Sequence, residues 1–288
     1  MLLFFTEPSA NAKEEIRNAL IRLGSDQGRF ENTNISVPSG WKCFLTDSLV
    51  LSSREDLVRL RSELSRFRID VLSVKSRIVG QSLFCFDMDS TLIREEVIDE
   101  LARFAGVYEE VSLVTREAME GNLNFQDALR KRCSYLKDLP VTALTDLYSR
   151  LSLNEGVSDL LQRLRGKGTK TAVFSGGFQD ILERFRTEHP IDEVRANFLE
   201  RKDGKLTGNV SGRIVDKDVK KESLVELREK FRIEKENVIA VGDGANDQLM
   251  LSEAGIGIGF HAKEGLKNTI MNWVDFAPMD VLLYLFES

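Results

Sequence analysis

The stretch Leu83-Phe84-Cys85-Phe86-Asp87-Met88-Asp89-Ser90-Thr91 sets four apolar residues directly against two carboxylates spaced two apart. A short, uninterrupted apolar run reads as a strand buried on both faces, and such strands belong to parallel sheets covered by helices. Residues 171–174 and 238–241 repeat the pattern, ending in Ser175-Gly176-Gly177 and in Gly242-Asp243-Gly244-Ala245-Asn246-Asp247. Helical spacing between them (Leu224, Leu227, Phe231) makes the layout alternating α/β. In an open α/β sheet, ligands collect beyond the carboxyl ends of the strands, so these polar tips are expected to face one crevice.

Packing preference does not end apolar strands in paired carboxylates. A single Asp at a strand end reads as a turn or a helix N-cap, but four on two strand ends do not. If extended geometry persists, Asp87 and Asp89 project the same way. Asp87, Asp89, Asp243 and Asp247 together would raise one another's pKa, and a divalent cation relieves that repulsion. Oxygen donors without nearby His or Cys point to a hard ion such as Mg²⁺.

Outward from this core, residues 94 to 152 interrupt the alternation with helical periodicity (Val97, Leu101, Phe104) and read as a helical insertion. Asp203-Gly204, between residues 198–202 and 205–210, signals a hairpin off the main sheet. Residues 1–80 read as a separate small unit. Its strands are expected at 2–5, 30–37, 43–46 and 71–78. Helices marked by Ile16, Ala19, Leu20, Leu23 and by Leu57, Leu60, Leu64, Phe67 alternate with them. The order βαββαβ is that of ferredoxin-like, ACT-like α+β domains. That order leaves both a regulatory and a packing or dimerisation role open. The expected division is therefore 1–80 and 81–288, the latter a Rossmann-like parallel sheet carrying a cap at about 94–152.

The 288 residues hold 40 Lys+Arg against 46 Asp+Glu, a formal net charge of −6, which argues against general nucleic-acid binding. Hydrophobic residues at 42% and charged residues at 30% exclude a disordered chain. Three scattered cysteines make neither a disulfide scaffold nor a thiolate zinc site, and two histidines exclude a histidine metal cluster. Residues 1–5 are apolar but lack a basic leader, and no apolar run reaches membrane length. The expectation is a cytoplasmic protein with no membrane partner.

The sequence resembles the haloacid dehalogenase-like phosphatases. Asp87-Met88-Asp89-Ser90-Thr91 is similar to their DxDxT signature, and Ser175-Gly176-Gly177, Lys220 and residues 242–247 follow in the family's order. Glu96, the stretch Met119-Glu120-Gly121-Asn122-Leu123-Asn124-Phe125 and Leu129-Arg130-Lys131-Arg132 narrow the resemblance to phosphoserine phosphatases.

That resemblance implies hydrolysis of O-phospho-L-serine, the last step of serine biosynthesis. Asp87 would be the nucleophile that becomes an aspartyl-phosphate, and Asp89 the general acid and base. Mg²⁺ would be held by Asp87, the Asp89 main-chain carbonyl and Asp243, with Asp247 supporting through water. Ser175, the Gly176 amide, Lys220 and Asn246 would grip the phosphoryl oxygens. Spacing alone barely separates Lys220 from Lys221; the resemblance favours Lys220. In the cap, Glu96 would meet the substrate ammonium and Arg132 its carboxylate, with Met119 and Phe125 lining the pocket. Alone, Glu96 and Arg132 read as ordinary helix-surface charges. The residues leave open a phosphotransferase acting on an acceptor such as homoserine, and a sensor that binds without turnover.

Overall fold

The computed structural model describes residues 1–9, 11–24, 30–46 and 53–287. Two sheets organise it. The smaller is built from β1 (Leu2–Thr6), α1 (Ala12–Arg22), β2 (Glu31–Asn32), β3 (Lys42–Thr46), α2 (Arg54–Ser65) and β4 (Asp70–Ser73). Its strands run antiparallel in the order β2-β3-β1-β4. The buried stripes Ile16, Ala19, Leu20 of α1 and Leu57, Leu60, Leu64 of α2 cover Leu2, Phe4 and Val71 on one face. Ser53 caps α2 by accepting from the Asp56 N–H.

The larger sheet begins at β5 (Leu83–Phe86). The helical insertion follows with α3 (Val97–Ala105), α4 (Tyr108–Met119), α5 (Phe125–Ser134) and α6 (Thr142–Tyr148). Next come α7 (Val157–Gly166), β6 (Lys170–Phe178), α8 (Gln179–Glu188), β7 (Glu193–Lys202), β8 (Lys205–Ser211), α9 (Lys217–Phe231) and β9 (Val238–Gly242). The chain closes with α10 (Gln248–Glu253), β10 (Ile256–Phe260), α11 (Glu264–Lys267), β11 (Asn272–Val274) and a 3₁₀ segment, Met279–Leu285. The order is β11-β10-β9-β5-β6-β7-β8, and every pair except β7–β8 is parallel. The fold is α/β, with β5, β6 and β9 adjacent at the centre.

Several details differ from the sequence reading. The expected strand at residues 30–37 shrinks to Glu31–Asn32, since only those two residues pair with β3. The expected strand at 71–78 stops at Ser73, and Ile78 instead bridges Phe286 beside the larger sheet. The hairpin is continuous with the main sheet: β7 runs parallel to β6 through Asn197, then antiparallel to β8 from Phe198. Strand β10 escaped the reading because glycines dilute its apolar run. One of them, Gly257, is required, since a Cβ there would lie 2.1 Å from the Leu251 carbonyl oxygen.

Side chains zip the two sheets edge to edge. The Asn272 side chain accepts from the Ser73 N–H (2.7 Å) and donates to the Ser73 carbonyl (3.0 Å), standing in for a strand's backbone. Asp70 accepts three consecutive backbone N–H groups, from Asp275, Phe276 and Ala277, at 2.8, 3.0 and 2.8 Å. Buried Arg61 donates to the Val71 and Met271 carbonyls and stacks its guanidinium 3.9 Å from the centre of the Trp273 ring. No helix among the described residues is long and apolar enough to cross a membrane.

Candidate active site

Three adjacent parallel strands deliver the polar groups to one end of the sheet. Asp87 leaves β5 with extended backbone, its N–H still bonded to the Val241 carbonyl (2.9 Å). The chain then turns abruptly: Asp89 is extended and Ser90 is left-handed at φ 57°. Asn154 holds that turn by donating to the Thr91 and Ile93 carbonyls at 2.8 and 3.1 Å. Asn154 lies beside Leu153, which pairs with Ile93, so the two strands of chain entering and leaving the helical insertion are tied together.

At the centre, Lys220 is fully buried, its Nζ 2.8 Å from Asp87 Oδ1 and 2.7 Å from Asp247 Oδ1. Burial pushes this ammonium down, but Asp247 and Asp87 outweigh it and hold it above its ordinary range. The neighbouring Lys221 is exposed and lies against Glu253, at 3.8 Å. Asp216 places Lys220 by capping α9, accepting from the Asp218 and Val219 N–H groups. Asn246 Nδ2 donates to Asp87 Oδ2 (3.2 Å), and the Met88 N–H donates to Asp87 Oδ1 (2.7 Å).

Asp87, Asp243 and Asp247 present carboxylate oxygens within 4.8 Å of one another, all three residues buried. Burial first, then Asp87, pushes Asp243 up to about 6 and Asp247 up to about 7. Buried oxygen donors under mutual repulsion fit a hard divalent cation. Asp247 stands in this group itself, with Oδ2 accepting from the Asp243 and Gly244 N–H groups at 3.1 Å each. Gly242 is what admits it, since a Cβ there would lie 2.4 Å from the Asp247 carboxyl carbon.

Asp89 differs sharply. Burial, reinforced by Glu96 and Asp87, holds its carboxyl well above the usual carboxylate range, and its buried Oδ1 has no hydrogen-bond partner. Gly177 leaves room for it: a Cβ there would lie 3.2 Å from Asp89 Oδ2. Ser175 is buried, and its Oγ accepts from the Gly177 N–H (2.8 Å). Asn197 ties back the Gly176 and Gly177 carbonyls at 2.8 and 3.2 Å.

From the insertion, Phe125 lies over Gly176, with its ring where a Cβ would fall 2.8 Å from Cζ. Glu96 sits at the N-cap of α3, Oε1 accepting from Ser90 Oγ at 2.9 Å. Arg132 is half-buried on α5 with its Nε buried and unpartnered, and its charge acts on Asp99 of α3. Met119 is not packed into this group; it is 81% exposed. At 100° per residue the buried stripe of Val111 and Val114 continues at Ala118, leaving Met119 on the flank.

Sequence reading missed Lys263, whose Nζ lies 2.8 Å from Asp243 Oδ2, because a lysine beside an acid in an irregular stretch looks solvated. It also missed the two asparagines that hold the turns, Asn154 and Asn197, since nothing local distinguishes them from loop residues.

The model of the haloacid dehalogenase-like hydrolases matches residues 82–255. The phosphoserine phosphatase of Archaeoglobus fulgidus is 44% identical over 227 residues, 78% of this chain and 66% of that protein. That of Methanocaldococcus jannaschii is 45% identical over 187 residues, 65% of this chain and 89% of that protein. Among solved structures, a HAD family hydrolase from Salmonella enterica serovar Typhi superposes with a TM-score of 0.90 at 30% identity, covering 100% of this chain and 98% of that one. Carboxylates at the ends of β5 and β9, a buried lysine between them and this extent of identity lead to one conclusion: the chain belongs to the haloacid dehalogenase-like hydrolases, in the phosphoserine phosphatase family.

Proposed function

We propose that the protein is a Mg²⁺-dependent phosphoserine phosphatase that hydrolyses O-phospho-L-serine to L-serine and phosphate through an aspartyl-phosphate. The observation that carries this reading is the contrast between Asp87 and Asp89. Asp87 is gripped by Lys220, Asn246 and the Met88 N–H, whereas Asp89 is half-buried, with one buried oxygen unpartnered and a raised pKa. Two carboxyls in unlike environments divide nucleophile from acid.

In the first step an Asp87 oxygen bonds to phosphorus while the ester P–O bond breaks, and the seryl oxygen leaves with the proton of Asp89. Asp89, now ionised, takes a proton from water as that oxygen attacks phosphorus; the P–O bond to Asp87 breaks and phosphate departs. Ser175, the Gly176 amide, Lys220 and Asn246 hold the phosphoryl oxygens throughout. Asp87, Asp243, Asp247 and the Asp89 main-chain carbonyl would hold the Mg²⁺, which when bound supplies charge neutralisation so that one anion can approach another. Glu96 and Arg132 select the amino-acid end, and Phe125 closes the pocket over Gly176.

We further assign residues 1–80 as a unit separate from the catalytic residues 81–288, with the cap at about 94–152. A cytoplasmic setting, in which the enzyme ends serine biosynthesis, is supported by three buried free cysteines. The test is a phosphate-release panel of O-phospho-L-serine, phosphothreonine and phosphoethanolamine, with and without Mg²⁺ and with homoserine as acceptor. Metal-dependent preference for O-phospho-L-serine, unaffected by homoserine and abolished in Asp87→Asn, is expected. Full activity in Asp87→Asn overturns the covalent route, phosphohomoserine formation overturns hydrolysis, and binding without turnover overturns catalysis.

A further inference from the structure

Five carboxyl groups crowd this site, Asp87, Asp89, Asp243 and Asp247 from the core and Glu96 from the root of the cap. Lys220 is spent on Asp87 and Asp247. Glu96 and Asp243 therefore face each other across the gap between cap and core as like charges, and Glu96 adds to the pressure against the ionised form of Asp243. Lys263 stands between them, its Nζ 2.8 Å from Asp243 Oδ2 and 3.5 Å from Glu96 Oε1. The backbone fixes it there, since the Lys263 N–H donates to the Asp243 carbonyl at 2.9 Å. Glu96 Oε1 takes both Lys263 and the Ser90 hydroxyl, which leaves Oε2 for another cation.

We propose that Lys263 is a positioning residue that ties Glu96, at the root of the cap, to Asp243 in the core, and thereby holds Glu96 ready for the ammonium group of an amine-bearing phosphomonoester. Without it, repulsion between Asp243 and Glu96 swings the cap root away. With it, the same two charges become a tether. This inference rests on the reading of the site as a phosphomonoesterase whose Glu96 meets the substrate ammonium. The Lys263 side chain is 59% exposed, so the tether is worth a modest energy.

Two measurements test it. In substrate-free protein, Lys263→Met is expected to speed amide hydrogen exchange at residues 97–101, and Lys263→Arg to restore it. In turnover, Lys263→Met is expected to raise KM for O-phospho-L-serine about three- to five-fold, the equivalent of about 1 kcal/mol or less, with kcat little changed. The inhibition constant of its deamino analogue, 3-phosphooxypropanoate, is expected to stay constant. Exchange at 97–101 unchanged in Lys263→Met, or constants for the two compounds moving together, or a fall in the serine KM, each overturns the proposal. Glu96→Gln separates the two readings. If it does not weaken discrimination between the two compounds, the assignment of Glu96 fails, and hydrogen exchange still decides whether the tether exists.

Discussion

Gly156 and Asp280 meet backbone to backbone: a Cβ built on Gly156, at φ 80°, would lie 2.6 Å from the Asp280 nitrogen. Next to that contact the Met279 N–H donates to the Glu155 carbonyl (2.8 Å), and the Ser39 N–H donates to Asp280 Oδ2 (2.8 Å). Residues 153–156 are also the exit from the cap, and Asn154 holds the turn carrying Ser90 and Thr91. The C-terminal 3₁₀ segment thus braces the cap hinge on one side and a loop of the N-terminal unit on the other.

Gly156→Ala is expected to be severely destabilising. The left-handed backbone costs about 1–2 kcal/mol for a residue with a Cβ, and the atoms it meets are backbone, which cannot rotate away. A loss of about 2 kcal/mol or more in urea unfolding is the expected outcome; a loss below about 1 kcal/mol contradicts the packing described here.

Asp70→Ala removes the acceptor for three backbone N–H groups at the junction of the two sheets. Buried donors left unpaired cost about 1–3 kcal/mol each, less where water enters. Unfolding followed by tryptophan fluorescence is expected to show lowered stability and an earlier transition at Trp273, next to the junction. Wild-type stability sinks the idea that Asp70 joins the units.

Asp89→Asn preserves shape but cannot donate and recover a proton. Turnover of O-phospho-L-serine is expected to fall about 10²–10⁴-fold with substrate affinity largely kept. With a substrate whose leaving group needs no protonation, such as p-nitrophenyl phosphate, the first step suffers less, and a burst of p-nitrophenol is expected. Equal losses on both substrates exclude Asp89 as the acid.

Acidification and metal act on the same charges. Asp243 and Asp247 are acids whose folded pKa values, about 6 and about 7, lie above an unfolded value near about 3.9. The folded state therefore binds more protons in that window. Its stability is relieved below the unfolded pKa and declines as pH rises through 6 to 7. In EDTA, Tm is expected to fall on going from pH 5.5 to 8, and Mg²⁺ is expected to abolish that fall and raise Tm most at the alkaline end. A metal-free Tm that climbs over this range contradicts the charge crowding.

Much of the fold was legible because it is locally encoded. Apolar runs at β5, β6 and β9 report burial on both faces, and the helical periodicity of Leu57, Leu60 and Leu64 reports one buried stripe. Strands β10 and β11 were not legible, because β10 is weakened by glycines needed for close approach and β11 is three residues long. At the site, Asp87 and Asp89 are recognisable from their spacing after an apolar strand. Lys220 is not separable from Lys221 by spacing, and Lys263, Asn154 and Asn197 carry no local mark at all.

By itself, then, the amino-acid sequence determined the α/β class, the two-unit order and the paired carboxylates, since periodicity and short spacing depend on neighbours in the chain. Tertiary structure alone decided that Lys220 is buried between Asp87 and Asp247, that Lys263 spans Asp243 and Glu96, and that Asp280 braces the cap hinge. Those pairs lie tens to more than a hundred residues apart. Their juxtaposition, and for Lys220 the buried environment that strengthens its pairs, exists only once the strands and the cap have been brought together.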